Sequence, residues 1–200
     1  MSFELPHVIS WSHRFAQEVL SAGDVAVDLT AGKGRDTLML YRCVAPTGQV
    51  LGFDIQKQAL SECVCLLQSE SVPVICRALH VDTPEPGVEL IHDDHAHLSS
   101  YLRQTPKVIM ANLGYFPGGD HTLTTTPEGT CAAFEQALAA LAPGGRLVCV
   151  LYTAHPGGDE EAAAVETLVA GLSSRDWFVL RLQVANREQA PYLLVAEKRR

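Results

Sequence analysis

The chain has 200 residues, 47% of them hydrophobic and 19% charged, which suits one globular domain with a sizeable core. Its 23 acidic against 15 basic side chains give a formal net charge of -8, which argues against nonspecific wrapping of nucleic acid by a wholly basic surface. A local basic patch is still available from Lys33, Arg35, Lys57 and the terminal run Lys198, Arg199 and Arg200, although that run reads as solvated surface.

From His7 to Leu20 the apolar spacing predicts an amphipathic helix that stops near Ala22 and Gly23. A short β-rich run, "DVAVDLT" (24–30), leads directly into "AGKGRDTLML" (31–40), where glycines are followed by helical spacing. The unit repeats, with "QVLGFD" (49–54) as strand and "QKQALSECVCLLQS" (56–69) as helix. Residues 71–87, "SVPVICRALHVDTPEPG", carry three prolines and no clean period. "GVELIHDD" (87–94) and "KVIMANL" (107–113) read as two further buried strands. The Ala-rich "PEGTCAAFEQALAALAPGG" (127–145) predicts a helix closed by Pro143, Gly144 and Gly145. "RLVCVLY" (146–152) is then strand, "DEEAAAVETLVAGLSS" (159–174) helix, and "WFVLRLQVA" (177–185) and "PYLLVAEK" (191–198) closing strands. Seven strands alternating with helices predict a mostly parallel sheet covered on both faces. The last two lack an intervening helix, so one of them runs antiparallel at or near an edge.

The six cysteines, Cys43, Cys63, Cys65, Cys76, Cys131 and Cys149, fall mostly in apolar segments with no CxxC pair, and read as buried thiols of a reducing compartment. "MSFELPHVISWSHRF" has no charged leader with an apolar core, and no stretch approaches the ~20 apolar residues of a membrane span. The expectation is a soluble, cytoplasmic protein.

In open parallel sheets ligands bind beyond the carboxyl ends of the strands, near the point where strand order reverses. "DLTAGKGRD" (28–36) follows the first strand, and its Gly32 and Gly34 let the backbone approach a ligand while the next helix offers free NH groups. Asp54 ends the second strand, where a carboxylate accepts from both ribose hydroxyls. Two cofactors fit. A dinucleotide site prefers a third small residue, but Thr37 stands there and Asp36 would repel a pyrophosphate. S-adenosylmethionine has a ribose, no phosphate and a cationic sulfonium, near which Asp28 would be useful. The third suspicious strand end is "VIMANLGYFPGGD" (108–120), an apolar run that stops at Asn112.

Together "DLTAGKGRDTL", "GFDIQKQAL", "NLGYFPGGD" and "YTAHPGGDEE" resemble the class I methyltransferases that act on 5-aminomethyl-2-thiouridine at the tRNA wobble position, long labelled rRNA methylases. The likeness spans Gly23 to Glu197 and is most specific in "NLGYFPGGD". It implies an α/β, Rossmann-like class I methyltransferase fold: one S-adenosylmethionine-dependent domain over residues 1–200, with a seven-stranded, mostly parallel sheet, helices on both faces, and the N-terminal helix (about 7–22) packed on the core. By motif, the donor contacts fall on Lys33, Arg35, Asp54, Gln56, Asp94 and His95. The family commonly has Asn and His where this chain has Lys33 and Arg35; these cations would meet the donor's carboxylate rather than its sulfonium. The stretch between Gln56 and His95 is also longer than expected for the family.

On this reading the acceptor is a primary amine that must lose a proton before in-line attack on the methyl group. The Asn112 amide oxygen and the Leu113 carbonyl would accept its hydrogens, Gly114 would admit the backbone and Tyr115 would stack on the uracil. His155 is a proton acceptor or anticodon contact, against the plainer reading of a loop histidine capping a turn. Asp120 and His121 are weaker candidates, Asp120 also reading as a turn cap, and Tyr152 reads as packing. "IHDDHAHL", with His92, Asp93, Asp94, His95 and His97, could suggest a metal cluster, but strand alternation would split these residues between faces and the family needs no metal. The implied partner is the tRNA anticodon stem-loop, with no membrane; whether a homodimer forms stays open. The rivals are another methyl acceptor (rRNA, protein or a small molecule), a nicotinamide-dependent oxidoreductase on the same fold, and a noncatalytic RNA- or partner-binding module.

Overall fold

The computed structural model describes residues 7–77, 86–114, 125–154 and 156–200. Among them, five helices, α1 (Val8–Gln17), α2 (Arg35–Val44), α3 (Lys57–Ser69), α4 (Pro127–Ala140) and α5 (Gly158–Ala170), flank the strands β1 (Val25–Asp28), β2 (Gln49–Phe53), β3 (Val74–Arg77), β4 (Gly87–Ile91), β5 (Val108–Asn112), β6 (Arg146–Leu151), β7 (Trp177–Leu182) and β8 (Tyr192–Lys198). The strands form one sheet in the order β3-β4-β2-β1-β5-β6-β8-β7. That is eight strands rather than the seven expected. The extra one, β3, lies in the proline-containing stretch whose period is unreadable, and it pairs parallel to β4 at the sheet edge. β8 is the antiparallel strand, inserted between β6 and the edge strand β7.

The buried strands look uniformly apolar, yet each still alternates. In β5, Ile109 and Ala111 join a core cluster with Phe134 of α4 and Val165 of α5, whereas Val108 and Met110 join the opposite cluster with Leu40 of α2 and Cys63 of α3. The period runs to the last residue of β5 and one residue past β6. Asn112 shares the face of Val108 and Met110, and Tyr152 shares that of Val148 and Val150, so both are aimed toward the side that carries α1 and α2.

Two local devices set the frame. Gly34 sits at φ 82°, and a Cβ there would come within 2.6 Å of the Cys63 sulfur, so only glycine lets α2 begin this close to α3. Arg146, at the start of β6, donates to the Phe15 carbonyl at 2.8 Å, to Glu18 at 2.9 Å and to Glu197 at 2.8 Å, fixing α1 over the sheet. Glu18 is held below the usual carboxylate range by this arginine's hydrogen bond.

Some expectations change. Only Cys63 and Cys149 are buried; Cys65 on α3 and Cys76 on the edge strand β3 are exposed, and all six thiols are free. Lys198 is not idle surface, because its ammonium donates to the Leu138, Ala139 and Leu141 carbonyls (3.5, 3.3 and 2.9 Å) and closes the C-terminus of α4. Among the described residues, no helix is long and apolar enough to cross a membrane.

Candidate active site

Sheet order reverses at β1, whose neighbours are β2 and β5, and a cavity of about 750 Å³ opens at the carboxyl ends of these strands. Its wall takes residues 29–33, 35 and 36 from the glycine turn, Asp54 to Gln56 after β2, Asp93 to His95 after β4, Asn112 to Gly114 after β5, and Tyr152 after β6. That volume suits a nucleoside-sized ligand with room for a second group.

The half of the cavity beside β2 and β4 is built from strand-end loops. Asp54 accepts from the Gly32 amide at 3.0 Å and from the Gln56 amide at 2.8 Å, so one carboxylate ties the glycine turn to the start of α3. Burial pushes its carboxyl up while the two amides pull it down. Asp94 accepts from Ala96 N at 2.8 Å and caps a 3-10 turn over His95–Ser100. β4 therefore ends at Ile91, and strand alternation does not govern the acidic and imidazole run after it. Instead His92 donates to the Ile55 carbonyl, His95 to the Leu29 carbonyl and His97 to Asp93 (3.0, 3.2 and 3.1 Å). Against the effect of its burial, Asp93 is held low by hydrogen bonds from Tyr101 and His97. Among the described residues, no group of three or more His, Cys, Asp or Glu is placed to hold a metal ion.

Several sequence candidates are placed differently from expectation. Asp28 is 1% exposed and does not line the cavity; it accepts from Thr30 N at 3.1 Å and from the Thr37 hydroxyl at 2.6 Å, bracing the turn from behind. Burial, with a contribution from the Asp36 charge, pushes its carboxyl up to about 7. Gly34 is likewise packed on Cys63 rather than on the cavity. The Lys33 ammonium lies 3.3 Å from Glu62 of α3, so its charge faces a carboxylate on the protein instead of being reserved for the donor's. Arg35 is exposed on the cavity wall. Tyr115, Asp120, His121 and His155 lie outside the described residues.

Sequence reasoning did not join the groups that gather beside Asn112. The Asn112 backbone amide donates to Thr30 Oγ1 at 2.8 Å, fixing the end of β5 against the glycine turn. Its Nδ2 lies 3.5 Å from Asp36 Oδ2, while Asp36 Oδ1 accepts from His13 Nε2 of α1 at 2.6 Å. Asn112 Oδ1 is buried without a hydrogen-bond partner among the described residues. Tyr152, expected to be packing, lines the same wall, and burial together with the Asp36 charge raises its phenol. The period-2 rule carried to the last residue of β5 and one residue beyond β6 is the signal that could have paired Asn112 with Tyr152; nothing in the spacing of α1 singles out His13. At the far end of the wall, Thr125 and Thr130 donate to Glu161 at 2.8 and 2.5 Å, and Glu161 is 2% exposed.

Residues 50–198 match the family described as "Putative rRNA methylase". A curated relative, the Arabidopsis thaliana "tRNA (mnm(5)s(2)U34)-methyltransferase, chloroplastic", is 33% identical over 204 residues, which span 98% of this chain and 69% of the relative. A Clostridium thermocellum protein of the family's description superposes with a TM-score of 0.88 at 31% identity, covering 98% of this chain and 100% of its own. The Streptococcus mutans methyltransferase SMU.1697c, solved with S-adenosylhomocysteine, gives 0.84 at 30% identity, covering 98% and 99%. With Thr37 buried against Asp28 where a dinucleotide site would need a small residue, the nicotinamide reading loses its physical basis as well. The chain belongs to this rRNA methylase family and is a class I, S-adenosylmethionine-dependent methyltransferase.

Proposed function

We propose that the protein transfers the methyl group of S-adenosylmethionine to the aminomethyl nitrogen of a 5-aminomethyl-2-thiouridine at the wobble position of tRNA. The observation that carries this reading is the pairing of two acceptors, Asn112 Oδ1 and the Asp36 carboxylate, in one corner of the cavity. The orphaned Asn112 Oδ1 and the Asp36 carboxylate favour a nucleophile that brings N–H donors, as an amine does and a ring carbon does not. The Arabidopsis relative, whose described substrate has the same amine chemistry, supports it.

Asp54 is the group for the donor's ribose, with Gln56, Asp94 and His95 as further donor contacts on the same wall and Gly32 the close backbone approach. S-adenosylmethionine supplies an electrophilic methyl carbon. The chain's own task is to hold a neutral amine in line with it and to exclude water. Asn112 Oδ1 accepts one N–H and thereby turns the nitrogen lone pair toward the methyl. Tyr115 is retained as the group that stacks on the base, which has to leave the anticodon stack to enter the cavity. Exposed Arg35 on the wall and exposed Lys57, next to Gln56 in sequence, are the cations against which an anticodon backbone would rest, despite the overall charge of -8.

The test incubates the protein with labelled donor and tRNA bearing the unmethylated base, followed by nucleoside mass spectrometry. Conversion of 5-aminomethyl-2-thiouridine to its N-methyl form is the expected result. A protein that binds S-adenosylhomocysteine yet leaves that base unchanged, while labelling rRNA or protein, would overturn the assignment.

A further inference from the structure

Three elements far apart in sequence, α1, α2 and β5, meet at one carboxylate. Asp36 on the first turn of α2 has a side chain 12% exposed; its Oδ1 accepts from His13 Nε2 at 2.6 Å, and its Oδ2 lies 3.5 Å from Asn112 Nδ2. An acid in a first helical turn ordinarily serves the free NH groups there. Here both oxygens are turned to side chains on α1 and β5, and the cap residue Gly34 offers no side chain of its own. His13 and Asp36 both line the cavity that holds Asp54 and Gln56. The first turn of α2 thus turns an acid that could cap it toward the cavity instead.

Building on the amine-acceptor reading above, we propose that Asp36, backed by His13, removes the proton from the incoming ammonium and aims the resulting amine at the donor methyl. The ammonium passes one proton to the Asp36–His13 pair and becomes a neutral amine. Its lone pair then forms the N–C bond as the S–C bond breaks, the bonding electrons stay on sulfur, and S-adenosylhomocysteine and a secondary ammonium leave. The pair returns its proton to solvent through His13, whose side chain is 26% exposed and forms the outer end of the arrangement. Asp36 is the catalytic residue and His13 positions it, because the imidazole NH fixes which carboxylate oxygen faces the amine.

Among the described residues, the charged and titratable groups around Asp36 are few. His13 faces it from α1, Asp28 acts on it through space from β1, and Tyr152 does so from beyond β6, while Asn112 of β5 is neutral and Arg35 precedes it on its own helix. The Asp28 charge opposes that of Asp36, and an arriving ammonium relieves that opposition.

The experiment compares the wild-type protein with Asp36→Asn and His13→Gln. Methylation of tRNA bearing the unmethylated base is followed from pH 6 to 9.5. Binding of S-adenosylhomocysteine is measured by calorimetry against that of sinefungin, whose primary amine takes the place of the donor's S-methyl group. Asp36→Asn should lower kcat by about 100-fold near pH 7, with the deficit shrinking as the solution itself deprotonates the amine, and His13→Gln by about tenfold. Asp36→Asn should bind S-adenosylhomocysteine like wild type but lose about tenfold in its preference for sinefungin. A folded Asp36→Asn protein with the wild-type pH profile, or an unchanged sinefungin preference, overturns the proposal. If Asp36→Asn does not fold, the His13→Gln preference decides in its place. Should wild type ignore the tRNA while the sinefungin preference still depends on Asp36, the wobble-base assignment falls and the amine-binding carboxylate stands.

Discussion

The two halves of the cavity are built differently. The half we assign to the donor is a set of short-range ties between backbone and carboxylate. Asp54 holds Gly32 and Gln56, and Asp94 caps the turn that follows it. The acceptor half is a meeting of side chains from α1, α2, β5 and the end of β6, with 76 residues separating Asp36 from Asn112. Backbone ties join the loops of this half to one another, so it should behave as a preformed clamp. The acceptor half depends on how α1 and the sheet pack, so it should be tunable by single side-chain changes that leave donor binding alone.

The largest expected effect breaks the clamp. Asp54→Asn retains one acceptor where two are needed, orphans either Gly32 N or Gln56 N, and removes the charge that a ribose diol would meet. Calorimetry should show S-adenosylhomocysteine binding weaker by about 100-fold. A loss below threefold would mean that the loop, not the carboxylate, recognises the ribose.

A smaller effect should separate the halves. Asn112→Ala removes the orphaned oxygen but keeps the backbone amide that donates to Thr30 at 2.8 Å, so the glycine turn stays in place. Turnover should fall about tenfold to thirtyfold, with donor affinity unchanged within about threefold. Equal losses in both would show that the two halves are not independent.

This difference also explains what the sequence disclosed. "DLTAGKGRD" and "GFDIQ" are local, since the turn, the acid and the amides it holds lie within a strand-turn-helix unit whose geometry follows from residue type. Sheet class was readable for the same reason, as was an antiparallel strand among the last two, though not that it is β8 inserted inside β7. β3 was hidden because Pro73 and its neighbours obscure the period and because a four-residue edge strand carries little pattern. The 3-10 turn after β4 was missed because Asp94 caps it by a contact two residues long, inside a run that looked like continuing strand. His13 could not be found by spacing, since its partner is 23 residues away on another helix and only tertiary packing joins them.

Packing beneath the site gives a third measurement. Gly34→Ala puts a methyl 2.6 Å from the Cys63 sulfur and 3.1 Å from the Cys63 Cα, at a φ of 82° that alanine resists. Unfolding should be easier by about 1–3 kcal/mol. Adding Cys63→Ala relieves the sulfur contact but neither the backbone contact nor the φ, so chemical denaturation should recover only part of the loss.

The smallest effect lies under both halves, at Asp28. Its carboxyl is raised from an ordinary value of 3.8 to about 7, first by burial and then by the Asp36 charge. A raised acid binds its proton more tightly in the folded chain than in the unfolded one. Between about pH 4 and pH 7 the folded state therefore carries the excess proton, and stability from this group falls as pH rises through that window. Asp28→Asn should flatten this part of the Tm-against-pH curve. It costs little otherwise, since the amide oxygen still accepts from Thr30 N and the amide nitrogen donates to a Thr37 hydroxyl that has turned round. Asp36→Asn removes one of the charges that raise Asp28, so the same slope should lessen without vanishing. A slope indifferent to Asp36 would mean that the carboxylate of the acceptor half is not felt in the turn beneath the donor, and the two halves would then be electrostatically as separate as their construction suggests.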